Sequence, residues 1–97
     1  MTILHLVRRS AFETHDFAQC ISNITAGDVL VLIDDGCYNL QHGLLSQAQA
    51  LLSADSLCVL QDHAKARALI NKQGVKAIDM QALLGLTFSL DTIMTWQ

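Results

Sequence analysis

Proline is absent from this 97-residue chain, glycine occurs five times, and charged residues make up only 15%. The missing proline agrees with short, regular connections between elements. The glycines are scattered and never pair as Gly-x-Gly, which excludes a phosphate-binding glycine-rich loop. No apolar stretch approaches the roughly 18 residues that a membrane span needs. The N-terminus lacks a basic segment followed by an apolar one and a small-residue cleavage site, so no export signal is expected. Cys20, Cys37 and Cys58 are odd in number and far apart, which excludes a disulfide framework and any Cys-x-x-Cys pair. His5, His15, His42 and His63 show no metal-ligand spacing, and neither a metal nor a cofactor is expected. A reducing cytoplasm is the expected compartment. The net charge of −3 argues against direct, salt-driven nucleic-acid binding by this chain alone, which needs a basic face.

What the chain has in quantity is apolar side chains, at 52% of all residues. That content excludes disorder, which requires low hydrophobicity and high charge. The length suits one domain over residues 1–97, with too little chain for a second core. A sphere this small cannot hide so much apolar surface alone, so part of it is expected to face another subunit. Phe12, Tyr38, Ile93, Met94 and Trp96 are the candidates for that contact. Trp96 has a competing role, folding back over its own sheet.

The hydrophobic period alternates between strand-like and helix-like along the chain. Ile3 to Val7 reads as a first strand. Ser10 and Glu13 form a possible capping box, with Thr14 an equally good cap, ahead of a helix whose buried face is Phe17, Cys20, Ile21 and Ile24. Val29 to Ile33 is a second strand. A second helix is expected from about Asn39 to Ser53, with Leu40, Leu44, Ala48, Leu51 and Leu52 as its stripe. Leu57 to Leu60 is a third strand. Asp62 then reads as the N-cap of a helix that turns Ala66, Leu69 and Ile70 inward and ends at Gly74. Val75 to Ile78 is a fourth strand, and Asp79 caps a last helix with Met80, Leu83, Leu84 and Thr87 on one side. Leu90 to Gln97 shows no period. Strands alternating with helices predict a mainly parallel sheet inside a three-layer α/β/α fold.

The segment Gly27 to Tyr38 is the most informative. Five consecutive apolar residues, Val29 to Ile33, suit a strand buried on both faces of a parallel sheet. They end abruptly in Asp34, Asp35, Gly36, Cys37 and Tyr38, beyond the carboxyl end of the strand, where ligands or partners dock in open α/β sheets. Asp34 and Asp35 offer oxygen ligands for a hard cation, but such pairs more often cap the next turn. Cys37 stands where aligned backbone donors would lower a thiol pKa, with packing as the competing role. Cys58 reads as a small buried apolar group inside a strand. Cys20 lies at the edge of the first helix's apolar stripe, where packing explains it as well as reactivity does.

Ile3-Leu4-His5, Ser10-Ala11-Phe12, Gly27-Asp28 and Asp35-Gly36-Cys37-Tyr38 together resemble the DsrH/TusB family of sulfur-relay subunits. Val59-Leu60, Asp62, Ala66-Arg67, Ile78-Asp79, Leu86-Thr87 and Trp96 continue the resemblance over essentially the whole chain. It departs at Ala11, where proline is common, at Cys37, where valine is common, and at Ala68, where glycine often follows Ala-Arg.

The resemblance implies a small flavodoxin-like, DsrEFH-like fold that assembles with two related α/β subunits (TusC/TusD-like or DsrF/DsrE-like) into a heterohexamer. Such an assembly receives sulfur from an upstream persulfide donor. In the TusBCD branch the sulfur reaches the 2-position of the tRNA wobble uridine; in the DsrEFH branch the architecture serves sulfur oxidation. The main sulfur-carrying cysteine belongs to another subunit, although Cys20 matches a position where the DsrH-like branch can carry one. The expected role is therefore a TusB-like, mainly structural subunit. Its rival is a persulfide carrier using Cys20 as catalytic residue, and no lysine, arginine or second cysteine lies within a helical turn of Cys20. A stand-alone ligand-binding domain is a third reading, disfavoured by the absent phosphate loop.

Overall fold

A computed structural model describes residues 2–97. Five strands, β1 (Ile3–Val7), β2 (Val29–Leu32), β3 (Leu57–Leu60), β4 (Lys76–Ile78) and β5 (Thr92–Trp96), form one sheet in the order β4-β3-β2-β1-β5. Every pairing is parallel. The helices are α1 (Asp16–Asn23), α2 (Leu45–Leu51), α3 (Gln61–Ala66) and α4 (Met80–Ser89), with a 3₁₀ segment at Asp34–Gln41.

The handedness of the crossovers distributes the helices. Steps from β1 to β4 all move in one direction across the sheet, so right-handed connections place α1, α2 and α3 on one face. The return from β4 to β5 crosses the sheet and puts α4 on the other. Side chains alternate accordingly. Val7, Leu30, Leu32, Leu57 and Val59 pack against Phe17, Cys20, Ile21, Leu45, Ala48 and Ala64. Leu4, Val31, Cys58, Leu60 and Ile78 pack against Leu83. Burial on both faces is why β2 and β3 read as unbroken apolar runs.

Several expected boundaries are corrected. Ser10 does not cap α1: its hydroxyl accepts from the Phe12 N–H (3.1 Å) and its carbonyl from those of Glu13 and Thr14, closing a separate turn before the helix. The expected helix from Asn39 to Ser53 is divided into the 3₁₀ segment and α2. Asn39 is fully buried and clamps the chain after β1, accepting from the Ala11 N–H (2.7 Å) and donating to the Arg9 carbonyl (3.1 Å). Asp62 lies inside the first turn of α3, whose N-cap is Leu60. Along α4, Asp79 does cap the helix, accepting from the Ala82 N–H at 2.8 Å. Its inward face, however, is Leu83 with Leu86, while Met80 and Leu84 are about half exposed. The segment without a period is β5, an edge strand on which Ile93 and Met94 are exposed.

Helix α3 stops at Ala66, eight residues before Gly74, which instead turns the chain toward β4 at φ +86°. Ile70, expected to point inward, is 86% exposed. The stop is made by Ala68 at φ +54°, a left-handed conformation that costs an L-residue about 1–2 kcal/mol. This is the position at which the resembling family often carries glycine. Ala68→Gly relieves the strain and loses some entropy, leaving an expected net gain of about 0.5–1 kcal/mol in urea unfolding.

Candidate functional site

All three thiols are inside. Cys20 and Cys37 are fully buried and Cys58 nearly so. Burial, followed by the charge of Asp28, pushes the Cys20 thiol up to about 12. Burial likewise raises Cys37 to about 11 against the opposing influence of Arg67, the reverse of the lowering its place after β2 suggested. Its sulfur faces the Leu32 carbonyl at 3.7 Å. Cys58 is also raised by burial. Neutral pH therefore leaves these groups as thiols, and a thiol is a poor nucleophile.

A buried polar chain runs across the sheet beside Cys20. The Trp96 Nε1–H donates to His5 Nδ1 at 3.1 Å, and the two rings stack with centroids 6.2 Å apart. With Nδ1 accepting, the imidazole is the neutral tautomer whose Nε2–H donates to Asp28 Oδ2 at 2.9 Å. Asp28 also accepts from the N–H groups of Ile3 (3.0 Å) and Thr25 (3.1 Å) and from the Thr25 hydroxyl (3.2 Å). Burial pushes the Asp28 carboxyl up, yet these hydrogen bonds together outweigh it and hold the group below the ordinary carboxylate range. Every polar atom in this chain is used within the fold. Trp96 therefore takes its second expected role, anchoring β5 to its own sheet.

The carboxyl ends of β1, β2 and β5 meet at a polar cleft of about 270 Å³, lined by Arg8, Arg9, Asp34, Asp35, Arg67 and Gln97. Gly36 draws these strand ends together. Its N–H donates to the Arg8 carbonyl at 3.1 Å, and a Cβ there would overlap the Val7 carbonyl oxygen. Arg8 Nε donates to Asp34 (2.8 Å) and its Nη1 to Gln97 Oε1 (2.8 Å). Arg67 Nε donates to Asp35 (3.1 Å) and its Nη1 to the His63 carbonyl (3.1 Å). The two acids are thus arginine partners, and among the described residues no His, Cys, Asp and Glu cluster could hold a metal ion. Asp34 adopts φ +49° and its N–H donates to His63 Nδ1 at 2.9 Å. That nitrogen is an acceptor, so its 3.5 Å separation from Asp34 Oδ1 is proximity, not an ion pair.

The convergence of arginines was not anticipated from the sequence. Its only signal there was position, since Arg8 and Arg9 follow a strand and Arg67 ends a helix. A larger recess of about 460 Å³ near Leu40, Ser46 and Lys72 lies away from this charge cluster.

The model of a protein family described as DsrH-like matches residues 9–93. The chain belongs to the DsrH-like family. Membership supports a sulfur-relay subunit, in a family that works in complexes with small partner subunits. The fold is that of the crystal structure of the ychN protein from E. coli, at a TM-score of 0.68, covering 99% of this DsrH-like chain and 100% of the other. Their identity is 16%, so the likeness concerns the fold alone. No curated protein matches by sequence. Among the described residues, no helix is long and apolar enough to cross a membrane.

Proposed function

We propose that this DsrH-like chain is a TusB-like, mainly structural subunit of a cytoplasmic TusBCD-like heterohexamer that supports 2-thiolation of the tRNA wobble uridine. In this reading residues 1–97 act as one DsrH/TusB-like domain beside two related subunits, one of which carries the persulfide. The observation that carries it is the burial of every cysteine, with Cys20 raised to about 12. A relay carrier must present a thiolate to a donor persulfide, because the thiolate is what attacks. The apolar surface left outside supports an obligate complex: Phe88 is 88% exposed, and Leu84, Met80, Ile93 and Met94 are at least 40% exposed.

The test is sulfur transfer from a persulfide donor to wild type and to Cys20→Ser, read by intact mass. Less than about a tenth of the chain is expected to gain a sulfur in the time a carrier subunit is fully loaded, given the small thiolate fraction. The assembled relay is expected to keep its activity with Cys20→Ser. Rapid, stoichiometric loading of Cys20 with loss of relay activity in the variant would instead overturn the structural reading in favour of a persulfide carrier using Cys20.

A further inference from the structure

The chain has six basic residues and a net charge of −3, yet all three of its arginines line one cleft of about 270 Å³. Among the cleft's side chains, three guanidinium groups stand against two aspartates on an acidic protein. The acids do not simply cancel the arginines. Each carboxylate holds one guanidinium by its Nε edge, while Gln97 and the His63 carbonyl engage Nη1. Among the described residues, neither Nη2 of Arg8 and of Arg67 nor the Arg9 guanidinium has a partner. Two arginines are therefore fixed in place with donors to spare, and a third is unengaged beside them. Planar guanidinium donors of this kind match oxyanions in geometry as well as in charge. The cleft also lies outside the carboxyl ends of parallel strands, where open α/β sheets bind ligands.

We propose that this cleft binds a small tetrahedral oxyanion carrying two negative charges, of the phosphate or sulfate type, between Arg9 and the spare donors of Arg8 and Arg67. Nothing in the proposal depends on sulfur relay. Its test uses the isolated chain, without persulfide donor or partner, so either reading can fail without the other.

Inorganic phosphate, sulfate and thiosulfate are titrated into the full chain, with chloride at matched ionic strength, while the arginine side-chain Nε resonances are followed by NMR. Saturable shifts are expected at Arg8, Arg9 and Arg67 for all three dianions and not for chloride. Preference for thiosulfate and sulfate over phosphate would assign a sulfur oxyanion, and the reverse order a phosphate. Arg9 makes no side-chain contact that folding needs, so Arg9→Ala is expected to fold normally and bind about tenfold more weakly, the effect of one charge-assisted hydrogen bond. Lys76→Ala, on the far edge strand, should bind as wild type does. Shifts that match those of chloride, binding unchanged by Arg9→Ala, or a response to long polyanions alone would each overturn the assignment.

Discussion

Asp28→Ala is expected to lower the unfolding free energy at neutral pH by about 4 kcal/mol, the scale of removing one partner from a buried charged network. The carboxylate serves four donors at once, and two of them, the Ile3 and Thr25 N–H groups, belong to backbone that cannot turn away. Alanine would leave His5 Nε2–H unpaired in the core as well. Urea unfolding at pH 7 measures the loss, and a change below about 1 kcal/mol, that of one ordinary hydrogen bond, would refute the account. The same group creates an acid limb. Its folded pKa is depressed, so its stabilisation is complete above the unfolded value of about 3.9 and is lost as pH falls through the folded value. Wild-type stability should therefore decline below about pH 4, and Asp28→Asn, itself less stable, should decline less steeply there.

Gly36→Ala is expected to cost about 3 kcal/mol, at the upper end of overpacking effects, although it adds a single methyl group. The added carbon would overlap the Val7 carbonyl oxygen and lie 2.8 Å from its carbonyl carbon. Both atoms are backbone of β1, which is held on two sides by β2 and β5, so no side-chain rotation relieves the clash. Gly43, where nothing lies within 4 Å of an added Cβ, provides the control: Gly43→Ala should change stability by less than about 0.5 kcal/mol. Equal midpoints for the two variants in urea would remove Gly36 as the closure of the strand ends.

The four strands and the parallel fold were legible because β1 to β3 contribute almost unbroken apolar runs to a sheet buried on both faces. Edge strand β5 was not. Thr92 to Trp96 has the β-branched and aromatic residues of a strand, but exposure erases the period on which the reading depended. The second and third helices were overextended for a different reason. Apolar spacing continues through Leu40 and past Leu69, whereas Asn39 is committed to the Arg9 and Ala11 backbone and Ala68 turns left-handed. A helical period says nothing about either event.

Sequence alone determined the fold class, the parallel strands, and the absence of a glycine-rich phosphate loop and of Cys-x-x-Cys chemistry, because local composition and spacing encode these directly. Tertiary structure alone decided that Cys20 is sealed in the core, that Trp96 bonds to His5, and that Arg8, Arg9 and Arg67 share one cleft with Gln97. Each of those depends on residues far apart in the chain, and the crossover that returns β5 to the side of β1 is what brings Trp96 to His5 and Gln97 to the arginines. Parallel pairing requires such long connections, so the partners of a side chain at a strand end are set by the order of strands in the sheet rather than by its neighbours in sequence.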